Sequence, residues 1–161
     1  MLTQAQLKSV LNYDQDTGIF TWLVKISKKI KIGDIAGSKA NGYKIIRLNN
    51  KQYYAHRLAW LYIAGEWPKN EIDHINNIKI DNRIKNLRDV SSSKNKQNKI
   101  KAQKNSTSGF LGVSWHKAKN KWRARIRVNK KELVLGYFDD KEIAYQTYLN
   151  AKRKYHEGCT I

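Results

Sequence analysis

The stretch from residue 91 to residue 131 contains 41 consecutive residues without an acidic side chain. In the whole chain 32 Lys and Arg stand against 13 Asp and Glu, which gives a formal net charge of +19 over 161 residues. Such a balance predicts a polyanionic partner. The 5 Trp and 9 Tyr supply apolar surface for folding, so we expect one ordinary domain or two small ones rather than a basic tail.

The acid-free stretch changes its pattern along its length. Residues 100–108 (IKAQKNSTS) lack apolar periodicity and are predicted to be a linker. The segments 110–115, 121–128 and 132–138 beyond it are typical of strands. Asp139-Asp140 then predicts the cap of a helix that runs to about residue 156.

The middle strand of this C-terminal part alternates between apolar and basic residues. Its apolar side is expected to pack on the helix, and its basic side chains project from the opposite face. The apolar positions are Trp122, Ala124, Ile126 and Val128, and the basic ones are Arg123, Arg125 and Arg127. The helix is expected to contribute an apolar stripe of Ile143, Ala144, Thr147, Tyr148, Ala151 and Tyr155.

The N-terminal part begins with short elements. Residues 3–12 are predicted to form a helix behind Thr3, and residues 19–24 a strand. The basic, glycine-punctuated residues 25–40 are predicted to be an exposed loop.

A β-hairpin and a buried helix are predicted next. Residues 43–48 and 52–55 are strand-like and flank the turn-forming Asn49-Asn50-Lys51. Residues 56–64 (HRLAWLYIA) are apolar and end at Gly65, which indicates a helix terminus.

The segment 72–90 places an acid beside a histidine and follows them with spaced asparagines. The segment would form a ββα unit around one metal ion. Its parts would be a strand bearing Asp73 and His74, a polar loop, a second strand around 86–88 and a helix from about Ser91. Phosphodiester hydrolysis needs a deprotonated water and a cation that neutralises charge. A histidine, a carboxylate and an amide oxygen can supply both, and oxygen ligands favour Mg²⁺ or Mn²⁺.

These residues, together with HRLAW at 56–60, GEWP at 65–68, DNRI at 81–84 and NLR at 86–88, resemble the HNH endonucleases of phages and mobile introns. The resemblance covers roughly the first hundred residues. It implies that His74 is the general base, that Asp73 and Asn95 are metal ligands, and that Asn86 orients His74. Asn95 stands where some relatives have a second histidine, a His-Asn-Asn version of the motif.

Other polar residues near this motif leave alternatives open. Asn76, Asn77 and Asn82 are interpreted as loop-forming residues. His56 either contacts substrate phosphate or is a capping or buried structural group. Three arginines near the motif are candidates to hold phosphates, although each can equally be a solvated charge: Arg57, Arg83 and Arg88.

The C-terminal part resembles the Apetala/ethylene-response-factor DNA-binding domain over about residues 108–157, on the segments FLGV at 110–113, 122–127 and LGYF at 135–138. Candidate phosphate contacts are Lys119, Lys121 and Lys130, and candidate contacts to guanine edges are Arg125 and Arg127, beside Arg123 on the same face. The family's contact positions also imply Ser114 and His116.

We therefore predict an α+β fold: an N-terminal HNH ββα-metal nuclease unit, and a C-terminal three-stranded antiparallel sheet packed on one helix. The nuclease domain would span residues 1–98, with the ββα unit at about 70–98, the basic linker 99–107 and the DNA-binding domain 108–161. The predicted function is a metal-dependent DNA endonuclease of phage or homing type. The alternatives are a DNA-binding regulator with an inactive HNH unit, and an RNA-binding protein.

The predicted partner is double-stranded DNA, bound by a monomer or a DNA-induced dimer. No apolar run approaches the roughly 18 residues that span a bilayer. The N-terminal segment lacks the apolar region of a signal peptide. We accordingly expect no membrane association and a cytoplasmic location, that of the host cell if the protein is phage-encoded.

Overall fold

The computed structural model describes residues 1–160 of the chain. The structure is α+β, as predicted, and divides into two compact units, residues 1–92 and the residues from 93 onward. The helices are α1 (Gln4–Val10), α2 (Ala55–Ala64), α3 (Ser92–Gln97) and α4 (Lys141–Tyr155). The strands are β1 (Leu11–Asp14), β2 (Ile19–Trp22), β3 (Ser38–Ala40), β4 (Tyr43–Leu48), β5 (Lys51–Tyr54), β6 (Glu71–His74), β7 (Leu87–Val90), β8 (Val113–His116), β9 (Lys121–Val128) and β10 (Lys131–Phe138).

The first unit contains three small antiparallel sheets around one apolar core. These sheets are the hairpin β1-β2, the three-stranded sheet β3-β4-β5 and the strand pair β6-β7. Helix α1 begins at Thr3 in a reciprocal capping box with Gln6. Helix α2 ends, as predicted, at Gly65 in the left-handed conformation. The core is formed by side chains of α1, β1, β4 and α2, among them Leu7, Leu11, Ile46, Leu58 and Leu61.

Several boundaries in this unit differ from the sequence expectations. Helix α1 ends at Val10, and Leu11 and Asn12, expected in that helix, begin β1 because they pair with β2. Residues 38–40, expected in a loop, form β3 because they pair with the edge of β4. Lys51, expected in a turn, is the first residue of β5. The turn is the two-residue Asn49-Asn50, with φ of 48° and 61°, and such paired left-handed residues match the twist of a hairpin.

The second unit contains the predicted three-stranded antiparallel sheet, with β9 in the centre, packed on α4. The buried residues of β9 are Ala124 and Ile126, and the helix covers them with Ala144, Tyr148 and Ala151. Asp140 caps α4 by accepting a hydrogen bond from the backbone of Ile143, as expected from the Asp-Asp pair.

The helix stripe was only partly predicted correctly. Ile143 and Tyr155 are 58% and 39% exposed, whereas Lys152 is buried. The buried residues of α4 are Ala144, Tyr148, Ala151 and Lys152, so the core-facing stripe lies slightly to one side of the expected one. Gly112 explains part of this packing. It has a φ of 75°, and a Cβ atom there would overlap the Tyr148 ring.

No helix within residues 1–160 is both long and apolar enough to cross a membrane.

Candidate active site

Strand β6, which pairs with β7 in the first unit, carries Asp73 and His74. In its register Asp73 lies opposite Arg88 and His74 opposite Leu87. Asp73 and His74 are both buried, together with Asn82 and Asn86 from the connection between the strands. The antiparallel pairing thus brings residues that are up to 13 positions apart into one polar cluster.

The side chain of Asn82 orients His74 and favours one of its tautomers. Its Nε2 lies 3.2 Å from Oδ1 of Asn82, which is only 2% exposed. Because a carbonyl oxygen can only accept, Nε2 carries the proton and Nδ1 keeps the lone pair. Burial lowers the pKa of His74 below its usual value, which outweighs the opposing effects of Asn82 and Asp73. This shift favours the neutral imidazole, the form that a general base requires.

The N-terminal hairpin fixes the backbone of Asn82. The Tyr13 hydroxyl donates a 2.6 Å hydrogen bond to the Asn82 carbonyl. Gly18, in the turn between β1 and β2, has a φ of 73°, and a Cβ atom there would lie 2.5 Å from the Asn82 carbonyl carbon. Only glycine therefore allows this close approach. A hairpin more than 60 residues away in sequence thereby supports the side chain that holds His74.

Asn86 organises the loop between the two strands. Its Oδ1 accepts a hydrogen bond of 3.0 Å from the backbone of Asn76, and its Nδ2 donates one of 2.8 Å to the carbonyl of Asp81. These two bonds tie both ends of the loop together. Since Asp81 directly precedes Asn82, Asn86 influences the position of the residue that contacts His74.

The three arginines considered for phosphate binding all have protein partners. Arg88 donates two hydrogen bonds to Oδ2 of Asp73, at 2.9 Å from Nε and 2.7 Å from Nη2. Arg83 forms an ion pair with Asp81 and lowers the pKa of that carboxyl to about 2. Arg57 donates to the Asn70 and Pro68 carbonyls and lies over the Trp67 ring.

His56 is a buried group in contact with His74, which favours the structural alternative over an exposed phosphate contact. It is 7% exposed, and its ring meets that of His74 edge to face at 5.1 Å. Burial lowers its pKa to about 3, so it is neutral. Its Nδ1 is buried and has no hydrogen-bond partner within residues 1–160.

The residues proposed as metal ligands lie in different units. Asp73 is in β6 of the first unit. Asn95 is in α3, whose last residue Gln97 accepts a hydrogen bond from the backbone of Gly158, and both lie in the second unit. Residues 1–160 contain no group of three or more His, Cys, Asp or Glu able to hold a metal. A donor set with one carboxylate fits Mg²⁺, which keeps several waters and uses one or two carboxylates, better than it fits zinc.

The second unit presents the predicted arginines on the sheet face opposite α4. Arg127 is exposed, and Arg125 forms a 2.7 Å ion pair with Glu132 of β10. Arg123 lies opposite Ser114 in the register of β8 and β9. Nε of Arg123 and Oγ of Ser114 are buried, and neither atom has a hydrogen-bond partner among the described residues.

The remaining candidates of this unit lie in turns and at strand ends. His116 Nδ1 accepts a hydrogen bond from the backbone of Lys119, whose Nζ lies 3.9 Å from the Tyr137 ring centre. Lys121 forms a 3.0 Å ion pair with Asp139. Lys130 occupies the two-residue turn between β9 and β10 with a φ of 66°.

Sequence reasoning missed the roles of Asn82, Tyr13 and Gly18. Asn82 was interpreted as a loop residue, and it is one, but its side chain also reaches His74. Nothing in the sequence separates these two uses of an asparagine, because the contact depends on how the loop folds back over β6.

Comparison with known proteins agrees with this site. The model of the HNH endonuclease family matches residues 53–97, a range that includes His56, Asp73, His74, Asn82 and Asn86. Protein 3.8 of Escherichia phage T7 is 33% identical over 92 residues, which cover 54% of this chain and 75% of that protein. No solved structure matches the chain. The chain therefore belongs to the same family as protein 3.8 of phage T7, and its residues 53–97 form an HNH endonuclease domain.

Proposed function

We propose that this protein is a metal-dependent DNA endonuclease in which His74 activates the attacking water. Nδ1 of His74 takes a proton from water, the resulting hydroxide attacks the phosphorus, and the bond to the leaving oxygen breaks. The observation that carries this proposal is the buried, neutral His74 with its Nε2 fixed on Asn82. A histidine so held needs no reorientation before it accepts a proton.

A divalent metal, Mg²⁺ or Mn²⁺, would be held by Asp73 and Asn95. When bound, it neutralises charge on the phosphate and the leaving oxygen. Arg88 orients the Asp73 carboxylate by its two hydrogen bonds to Oδ2. Asn86 keeps the loop closed. Arg57, Arg83 and Arg88 are proposed to hold phosphates of the DNA, beside their protein partners Asn70, Asp81 and Asp73.

The C-terminal unit is proposed to bind duplex DNA and to choose the site. Its support is the sheet face opposite α4, where Arg123, Arg125 and Arg127 alternate with the buried Ala124 and Ile126. Arg125 and Arg127 would read guanine edges. The phosphate contacts would come from the neighbouring strand ends and turns: Lys119, Lys121, Lys130, Ser114 and His116.

In this proposal residues 1–98 carry the nuclease activity, residues 99–107 are a linker and residues 108–161 bind DNA. The protein would act in the cytoplasm, that of the host cell if it is phage-encoded. A chain with one nuclease site cuts one strand at a time. A monomer would therefore nick DNA, and a double-strand break would need a dimer assembled on the DNA or two sequential nicks.

Plasmid cleavage tests the proposed reaction. The full chain should convert supercoiled plasmid to the nicked form with Mg²⁺ or Mn²⁺, and should not do so with EDTA. Asp73→Asn should lower the rate and raise the metal concentration needed. A preparation that binds duplex DNA but leaves it uncut with both metals would support the regulator alternative instead, and preferential binding of RNA in competition would support the RNA-binding alternative.

A further inference from the structure

Tyr54 presents one aromatic face outward beside the nuclease site. It is the last residue of β5 and is 42% exposed. Its ring stacks on His56 at 5.3 Å with an interplanar angle of 17°, and the edge of Tyr43 meets it at 5.3 Å. These are its ring contacts among the described residues, so the face turned away from His56 is not covered by another ring.

The stacked pair of Tyr54 and His56 lies against His74, the proposed general base. Tyr54 stacks on His56, and His56 meets His74 edge to face at 5.1 Å. The centre of the Tyr54 ring is therefore within about 10 Å of the His74 ring. Successive nucleotides of one strand rise roughly 3.4 Å along a duplex. A base on Tyr54 would thus belong to a nucleotide only a few steps from the phosphate at His74.

The surroundings of Tyr54 are cationic. The register pairs Ile45 with Tyr54 and Arg47 with Gln52, so the exposed Arg47 lies on the same sheet face as Tyr54. Lys79 lies over the neighbouring Tyr43 ring at 4.7 Å. An exposed aromatic ring flanked by cations is the arrangement with which proteins bind bases and their phosphates.

We propose that Tyr54 is a stacking subsite for one nucleobase of the cleaved strand, next to the scissile phosphate, with Arg47 holding a phosphate of the same strand. This inference rests on the proposed nuclease function and extends it from the phosphate to an adjacent base. Stacking is tolerant of sequence because every base has a π-face. The subsite would therefore position the strand without selecting a sequence.

Base removal on the substrate tests the subsite. After the cut position is mapped, duplexes with one abasic nucleotide at each flanking position are compared under single-turnover conditions. Wild type should lose about 10- to 100-fold in kcat/KM at one position. Tyr54→Ala should lose a similar factor on intact DNA and nothing further on that abasic substrate. Tyr54→Phe, which keeps the ring, should behave as wild type.

A control and a binding readout separate this inference from the nuclease proposal. Tyr155→Ala removes a tyrosine of similar exposure, 39%, from α4 and should change nothing. In the His74→Ala background, removal of the base at the sensitive position should weaken DNA binding, and Tyr54→Ala should abolish the difference in affinity between intact and abasic DNA. If wild type leaves DNA uncut, the abasic nucleotide is scanned along the duplex, and equal affinities for intact and abasic DNA at every position would overturn the subsite.

Unchanged kcat/KM for Tyr54→Ala would overturn the subsite, as would equal and additive losses from Tyr54→Ala and the abasic position. The nuclease proposal would survive either result, since His74 would still cut.

Discussion

Oδ1 of Asn82 lies 3.2 Å from Nε2 of His74, and this contact favours the tautomer with the proton on Nε2 and orients the imidazole. The hydrogen bond leaves Nδ1 as the basic nitrogen. Asn82 does not need to touch the substrate, because it acts by positioning His74. Side chains that orient catalytic or ligating histidines in this way have large effects on activity.

Replacing Asn82 should therefore lower catalysis more than binding. We expect Asn82→Ala to reduce kcat about 10- to 100-fold, with little change in KM, in a metal-saturated cleavage assay. Asn82→Asp keeps an acceptor for Nε2 and should recover part of the loss. Its negative charge should also raise the pKa of His74 and move the acidic limb of the kcat/KM profile to higher pH. If the acidic limb of the kcat/KM profile of Asn82→Asp lies at the same pH as in wild type, that result would argue against this contact.

Tyr13 should affect activity although it belongs to the N-terminal hairpin. Tyr13→Phe removes the hydrogen bond to the Asn82 carbonyl and keeps the buried ring. We expect a loss of about 1 kcal/mol in the free energy of unfolding, measured by urea denaturation, and a several-fold lower kcat. The matched control is Tyr62→Phe, because Tyr62 packs on the same Tyr13 ring. Equal kcat values for the two variants would mean that the hairpin does not position Asn82.

The buried His56 should make folding sensitive to moderate acid. Its pKa is about 3 in the folded protein, against an ordinary value of about 6.5. Between these values the unfolded chain binds a proton that the folded chain does not, so stability falls as the pH falls below about 6.5. His56 contributes about 1.4 kcal/mol per pH unit to this loss. His56→Phe should flatten the dependence of unfolding free energy on pH between about 5 and 6.5; an unchanged slope would contradict the buried, neutral state.

Glu132 should weaken DNA binding by the second unit. It is paired with Arg125 and lies opposite Arg127 on the neighbouring strand. Glu132→Gln should release Arg125, tighten binding and steepen the dependence of log affinity on log salt by about 0.9. Arg127→Ala should flatten the dependence of log affinity on log salt by a similar amount if Arg127 contacts a phosphate. It should relax the sequence preference if Arg127 contacts a base. Titration of duplex DNA at several salt concentrations measures both, and no response in either variant would exclude this face as the DNA contact.

The parts of the fold that were predictable are those with strong local signals. Helix α2 has an apolar run closed by Gly65, α4 has Asp140 as its cap, and β9 alternates apolar and basic residues over eight positions. Strand β3 was missed because its strand conformation comes from pairing with β4 rather than from its own pattern.

In the candidate site, too, the residues with a local sequence signal were predictable and those defined by tertiary contacts were not. Asp73 and His74 were recognisable because their types and spacing match a known chemistry, whereas Asn82 looked like any loop asparagine. Its role depends on a tertiary contact, supported by Tyr13 and Gly18 from a distant hairpin. A local pattern carries no information on such a contact.

The most direct test of the account is single-turnover cleavage by His74→Ala beside a DNA-binding titration of the same preparation. We predict that wild type cuts duplex DNA with Mg²⁺ or Mn²⁺, and that His74→Ala is slower by at least about 100-fold while it binds DNA with nearly unchanged affinity. Cleavage by His74→Ala at the wild-type rate would contradict the assignment of His74 as the general base.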